Sequence, residues 1–397
     1  MMQTYDEALA FIHAQPHGGA KDTFARMDAL LAALGNPQNE LPPVIHVTGT
    51  NGKGSVSTMT AAVLSANGLK TGLFISPFIM DFRERIQIDG EMIAQADLVR
   101  YVQRIAAVLP TLDSEAPTEF EVVTALMLRY FADQKLDAAV IEVGIGGRWD
   151  STNVLPSAKV AVITSVGYDH QNMLGNTLTE IAQQKAGIIH DGMQVVIGQL
   201  PDEARAVLPS DALIGRVGEF EAPLAGDFQR QNTATAVAAL RAFKPDLTDA
   251  QIQAGLTQVH FPARYEFLTL PAHTVILDGA HNAEGLRALR RNLQLDADKL
   301  APYTLIFGSL ADKNAVEILP ELLAQLPLTA LILVPFAGPN QRNSVDVKAI
   351  AQQLNDNRVT IAADWQTALQ QAQTQTVVMT GSLYLMSEIR QTLLRIS

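Results

Sequence analysis

The sequence predicts an α/β fold made of two successive, mostly parallel sheets with helices on both faces. Three observations carry this expectation. Short apolar runs alternate with helix-period segments along most of the chain. A Gly-rich turn separates the first clear run from a helix. The alternation resumes after a polar stretch in the last third.

Val44-Ile45-His46-Val47 reads as a short buried strand that leads into the turn. Ser55 to Ala66 follows as a helix, closed by Asn67-Gly68. Leu73-Phe74-Ile75 is a second apolar run, and Phe120 to Phe131 is helical by its apolar spacing. Ala138 to Val143 and Val160 to Thr164 read as strands. Thr179 to Ile189 reads as a helix ending near Asp191-Gly192, and Gln194 to Ile197 as the next strand. Later, Thr274 to Leu277 is a strand followed by a helix from Ala283. Tyr303 to Phe307, Ala330 to Val334 and Thr376 to Met379 are further strands. The polar stretch Gln294 to Pro302, with Asp296, Asp298 and Lys299, is the expected boundary. A P-loop-type, mostly parallel sheet domain over 1–295 would then precede a smaller Rossmann-like α/β domain over 296–397.

Composition narrows the chemistry. The chain has 397 residues, which favours two domains over one core. A 48% hydrophobic share against 18% charged residues fits packed globular structure. The formal net charge of -12 disfavours general nucleic-acid binding, while leaving room for a local basic site for a small anion. Without cysteine there is no disulfide, thiolate metal site or Cys nucleophile. Residues 1–14 lack a basic stretch followed by an apolar run, and no apolar stretch is long enough to cross a bilayer. A cytoplasmic monomer with no membrane or nucleic-acid partner is the expectation.

Gly49-Thr50-Asn51-Gly52-Lys53-Gly54-Ser55 is the most informative segment. Backbone N–H groups of a Gly-rich turn, followed by a helix N-terminus, cradle phosphate. Lys53 would reach the β- and γ-phosphates of ATP, and Ser55 would lie near the metal. The usual P-loop has Gly where Val47 stands and Ser or Thr where Gly54 stands, so the match is imperfect. Oxygen donors and an imidazole for a divalent metal follow later strands: Ser76 in Ser76-Pro77-Phe78-Ile79, Glu142 at the end of an apolar strand, and His170 in Gly167-Tyr168-Asp169-His170. Taken singly, Ser76 reads as a turn serine and His170 as a hydrogen-bonded histidine. Glu142 is harder to explain by packing, because a carboxylate ending an apolar strand is costly unless it is paired or metal-bound.

The loop resembles the ATP loop of the Mur ligase superfamily, and in particular of its folylpolyglutamate synthase branch, where Gly after the Lys is usual. Glu142-Val143-Gly144-Ile145-Gly146-Gly147-Arg148, the Ser76-Pro77 start and Asp169-His170 are similar to that branch's motifs. The resemblance implies that Ser76, Glu142 and His170 coordinate magnesium, that two ions take part, and that Asp169 orients His170. Lys185-Ala186-Gly187-Ile188 resembles a motif in which the Lys is carbamylated. Read alone, Lys185 is a solvated helix lysine.

Thr118-Glu119-Phe120-Glu121 reads as a capping box with Thr118 as N-cap. It is also similar to a segment near the branch's pterin site, implying substrate contacts from Thr118 and Phe120. Arg148 to Asn153 corresponds to the branch's Gly-Arg-Leu-Asp-Ala-Thr-Asn stretch, with Asp150 and Ser151 on the substrate side and Trp149 and Ser151 departing from it. Asp227 to Asn232 resembles a His-Gln-x-x-Asn segment and implies that Asn232 contacts ATP. Pro262-Ala263-Arg264-Tyr265-Glu266 resembles Gly-Arg-x-Glu with Ala263 in place of Gly, and Arg264 would offset charge on the transferred phosphoryl group. Asp278 and His281 in Asp278-Gly279-Ala280-His281-Asn282 are nucleotide-side residues by the same resemblance.

The implied activity is ATP-dependent joining of L-glutamate to a reduced folate. Lys53, His170, Lys185, Arg264 and His281 are the implied catalytic set. Ser76-Pro77-Phe78, in place of a Ser-Pro-His start, favours glutamate-tail extension alone over a bifunctional enzyme that also uses dihydropteroate. A muramoyl ligase would need a UDP-binding domain before the loop, and only residues 1–48 precede Gly49. A nucleotide switch without ligase chemistry would have no use for Lys185, His170, Asp278 and His281 together. The stretch between Gly198 and Gly226 is short for the branch, which usually carries a β-rich insertion there.

Overall fold

The computed structural model describes residues 2–16, 22–311, 314–338 and 343–394. These form two compact units, Met1–Pro223 with Gln229–His260, and Leu224–Phe228 with Phe261–Ser397.

The first unit is organised by eight strands among the described residues: β1 (Val44–Thr48), β2 (Thr71–Phe74), β3 (Ile86–Ile88), β4 (Glu91–Met92), β5 (Ala138–Glu142), β6 (Ala158–Ile163), β7 (Gln194–Ile197) and β8 (Leu213–Ile214). They lie in the order β4-β3-β2-β5-β1-β6-β7-β8. From β2 to β8 every pairing is parallel, whereas β3 and β4 pair antiparallel at one edge. β1, β2 and β5 are buried along their whole length, so they need apolar residues on both faces. The chain runs from β1 outward to β2 on one side and returns to β6 on the other. The carboxyl end of β1 is therefore a topological switch point, where open α/β sheets bind ligands. The phosphate loop follows β1, Ser76 follows β2, Glu142 ends β5 and His170 follows β6, on four adjacent strands.

Gly52 begins the helix Lys53–Ala66, whose Val63 meets the helix Asp249–Leu256 at Gly255. A Cβ on Gly255 would lie 2.7 Å from Val63 Cα, so the two helices approach as closely as glycine permits.

The second unit has six strands among the described residues: β9 (Glu266–Thr269), β10 (Thr274–Leu277), β11 (Tyr303–Phe307), β12 (Leu328–Leu333), β13 (Val359–Ile361) and β14 (Thr376–Thr380). Their order is β13-β12-β11-β14-β10-β9, with only β9 antiparallel. This corrects the expected boundary at 295/296. β10 pairs residue for residue with β14, from Thr274↔Thr376 to Leu277↔Met379, and so belongs to the second sheet. The second unit's main stretch begins at Phe261. The polar segment 294–302 only joins the helix Ala283–Leu295, the short helix Ala297–Leu300 and β11 within that unit.

The short 198–226 region holds the helix Asp202–Arg205 and the two-residue edge strand β8. Among the described residues, no helix is long and apolar enough to cross a membrane.

Candidate active site

The loop after β1 is held from the side by the segment after β6. Thr50 N–H donates to Ser165 O at 3.0 Å, and Asn51 N–H to Ser165 Oγ at 2.9 Å. Thr164 Oγ1 donates back to Asn51 O at 2.6 Å, and Thr50 Oγ1 exchanges hydrogen bonds with Gly167 O and N at 3.1 and 3.0 Å. Gly52 has φ 84, and a Cβ there would overlap the Asn232 side-chain amide. Glycine is required both for the left-handed turn and for the close approach. Lys53 Nζ sits at the loop's own carbonyls, 2.9 Å from Gly49 O and 3.2 Å from Thr50 O. Gly54 and Ser55 are buried in the first turn of the helix.

The start of the helix Asp227–Phe243 completes this side. Gln229, fully buried, donates to Ser55 Oγ at 3.3 Å and accepts from Asn232 Nδ2 at 2.8 Å. Asn232 is thus brought against Gly52, beside the loop. Gln229 was not singled out in the sequence. Its signal was weak, a polar residue three before Asn232 in a polar helix start.

Of the expected metal donors, Ser76 and Glu142 meet: Ser76 N–H donates to Glu142 Oε2 at 2.9 Å. Glu142 is only 3% exposed. His170 has φ 50 and begins the short helix Gln171–Leu174. Asp169 accepts the His170 backbone N–H at 2.9 Å, while its carboxylate is 3.9 Å from Nε2, too long for the ring hydrogen bond expected of an orienting residue. No group of three or more His, Asp or Glu side chains among the described residues forms a ready metal cage. One buried carboxylate, with Ser76 beside it, nevertheless fits magnesium, which is typically held by one or two carboxylates together with substrate phosphates and water.

Lys185 corrects the solvated-lysine reading. It is 2% exposed, at the end of the helix Leu178–Ala186. That end is locked to the loop after β5: Arg148 N–H donates to Gln184 O at 2.8 Å, and a Cβ on Gly147 would lie 2.8 Å from Lys185 O.

The capping box forms as read. Thr118 Oγ1 accepts from Glu121 N–H at 3.3 Å, and Glu121 Oε2 accepts from Thr118 N–H at 2.7 Å. Arg26 Nε also donates to Glu121 Oε2, at 3.2 Å. The Phe120 ring packs 6.1 Å from the Phe74 ring, and its edge would be 2.7 Å from a Cβ on Gly144. Asp150 Oδ2 would be 3.1 Å from that same point, so Phe120 and Asp150 flank one glycine. Trp149, half-buried, packs 5.4 Å from Phe24, and Ser151 is buried.

In the second unit, Asp278 directly follows the apolar β10 and is buried. It accepts from Tyr265 N–H at 3.0 Å and Ala280 N–H at 2.8 Å. Burial pushes its carboxyl up to about 6, against the opposing pull of the Arg264 guanidinium and of those two amides. Arg264 lies over the Phe261 ring, 5.3 Å from its centroid, and its Nη1 would be 3.1 Å from a Cβ on Gly279. His281 Nδ1 is 2.9 Å from Gly279 O. Asp278, Arg264 and His281 therefore gather around Gly279.

A carboxyl whose folded pKa is raised contributes stability that is full below its unfolded value and lost as pH rises through the folded value. With its pKa raised from the ordinary 3.8 to about 6, this side chain should cost the fold about 3 kcal/mol once the pH exceeds the folded value. Urea unfolding at pH 4 and pH 7 should show that loss in the wild type, with a correspondingly smaller pH difference in Asp278→Asn. Equal differences in the two proteins would contradict the assignment.

Comparison with known families and proteins gives a consistent picture. The Mur ligase middle domain matches residues 47–213, and the Mur ligase glutamate ligase domain matches residues 263–383. The folylpolyglutamate synthase of Lacticaseibacillus casei is 39% identical, over 98% of this chain and 99% of its own length. The dihydrofolate synthase/folylpolyglutamate synthase of Bacillus subtilis is 31% identical, over 99% of this chain and 100% of its own. A solved FPGS–AMPPCP–folate complex superposes with a TM-score of 0.84 at 38% identity, covering 99% of this chain and 100% of that one. The ADP complex of the Mycobacterium tuberculosis enzyme superposes at 0.86 with 29% identity, covering 98% of each chain.

Proposed function

Because the chain belongs to the Mur ligase family, in its folylpolyglutamate synthase branch, we propose that it is an ATP-dependent C–N ligase adding L-glutamate to the glutamate tail of reduced folates. The observation that carries this reading is the loop at the β1 switch point, flanked on adjacent strands by the Ser76–Glu142 contact and the segment leading to His170.

A free carboxylate is a poor acyl donor at neutral pH. The terminal phosphoryl group of ATP is therefore transferred to the folate's terminal carboxylate, giving ADP and an acyl phosphate. The amine of L-glutamate attacks the acyl carbon, the bond to phosphate breaks, inorganic phosphate leaves, and the amine loses a proton.

Thr50, Asn51, Gly52, Gly54 and Ser55 cradle the phosphates through the loop and helix N-terminus, with Asn232 beside them. Lys53 supplies positive charge where negative charge develops. Ser76, Glu142 and His170 would hold magnesium, two ions in all, with carbamylated Lys185 serving the second. Magnesium, when bound, polarises the phosphoryl oxygens. Arg264, Asp278 and His281 are assigned to the nucleotide by the same reading, and Thr118, Phe120, Asp150 and Ser151 to the folate.

The test is ADP release with ATP and L-glutamate, supplied with either a tetrahydrofolate or dihydropteroate. Turnover should require the folate. ADP release at the same rate with neither acyl substrate would sink the ligase reading and favour a nucleotide switch. Comparable turnover with dihydropteroate would make the enzyme bifunctional, as the name of the Bacillus relative states for that protein.

A further inference from the structure

His46 lies in the middle of β1, 1% exposed, and has no part in the reaction derived above. Its Nε2 is 2.8 Å from Thr152 Oγ1. Thr152, also buried, places the same oxygen 2.6 Å from Asp150 Oδ1. A hydroxyl has one proton to give. The Thr152 proton goes to the carboxylate, so Thr152 Oγ1 accepts from His46, which fixes the imidazole as its Nε2–H form. Burial, with a smaller push from His190, lowers the His46 pKa to about 3, so the ring stays neutral at physiological pH. Asp150 Oδ1 also takes Thr152 N–H at 3.0 Å, and Oδ2 takes Ile145 N–H at 3.0 Å. Both carboxylate oxygens are thereby oriented, one of them from the strand beneath the phosphate loop.

We propose that His46 is a positioning residue for the acyl substrate, acting through the one-way hydrogen-bond relay His46→Thr152→Asp150. The relay joins β1, which ends in the phosphate loop, to the 144–153 loop, where Asp150 faces Phe120 across Gly144. It sets the direction in which Asp150 presents its remaining lone pair, on Oδ2, to an N–H donor of a fused heteroaromatic ring. This rests on the folate-side assignment of Asp150 made above.

The test compares Thr152→Val, which is nearly isosteric but breaks the relay, with Thr152→Ser, which keeps the hydroxyl. His46→Leu is a third variant. Steady-state KM for the tetrahydrofolate and for ATP is measured for each, with kcat. Thr152→Val loses a hydrogen bond to a charged carboxylate and should raise the folate KM by about 10-fold or more, while His46→Leu loses a neutral one and should raise it by about 5-fold. ATP KM and kcat should stay near wild type, and Thr152→Ser should restore the folate KM. A parallel rise in both KM values would overturn the relay, as would equal damage in the serine and valine variants, since packing alone would then explain the effect. If His46→Leu does not fold, the Thr152 pair decides the matter. Wild-type turnover separates the two readings: absence of folate-dependent turnover sinks the ligase function itself, whereas normal turnover with an unmoved KM in Thr152→Val sinks only the relay.

Discussion

Replacing Lys53 by methionine should lower kcat/KM on the order of 10³-fold, because the proposed role of Lys53 is to place positive charge on the transferred phosphoryl group. Methionine keeps most of the length of the side chain but none of the donors. The native ammonium bonds Gly49 O and Thr50 O, within the loop. Losing such bonds on a part-buried side chain should change stability by only about 1 kcal/mol. The two effects separate experimentally: ADP release under saturating folate and glutamate reports the first, and a urea midpoint reports the second. Turnover within tenfold of wild type would remove Lys53 from the catalytic set. A collapse of stability would instead identify it as a structural brace of the loop.

The interior of the fold was legible because buried parallel strands are contiguous apolar runs. Gln194 to Ile197, Thr274 to Leu277 and Tyr303 to Phe307 have the same limits in the sequence reading and in the structure. The edges were not. Glu91–Met92 and Leu213–Ile214 are two-residue, exposed strands with no alternation to detect. The domain junction was misplaced for a related reason. Charge density marks Gln294 to Pro302, but that segment is only a helix end. The second unit's main stretch begins instead at Phe261, and Ala263 and Tyr265 just after it, non-glycine residues at φ 52 and 53, carry no local turn signature. The branch's Gly at the position of Ala263 suits that left-handed backbone.

The site divides the same way. Loop and strand-end residues announce themselves, because a switch point puts carboxyl ends at the ligand crevice. The residues that hold them in place, Thr164, Ser165, Thr152, His46 and Gln229, lie in other segments and make long-range pairs 106 to 174 positions apart only once the sheet has formed. Thr164 and Asn51 are 113 positions apart, for example, and His46 and Thr152 are 106 apart.

Lys185→Ala should have an effect of similar size, through opposite chemistry. An ammonium beside magnesium would be repelled. Under the proposed carbamylation, its amine would take up CO2 and release a proton, giving a carbamate whose oxygens suit the ion. Burial of Lys185 and the lock between its helix end and the 147–148 segment keep it at the loop that follows Glu142. Lys185→Ala should therefore lose on the order of 10³-fold in turnover. Acetate or formate should restore part of it, since a small carboxylate can enter the space vacated by the side chain. Top-down mass spectrometry under native conditions should find the mass of one CO2 on a fragment containing Lys185, lost after acid treatment and absent from the variant. No gain in the variant's rate with either carboxylate, together with an unmodified Lys185 in the active wild type, would leave Lys185 a buried structural cation and remove the second metal ligand from the proposed site.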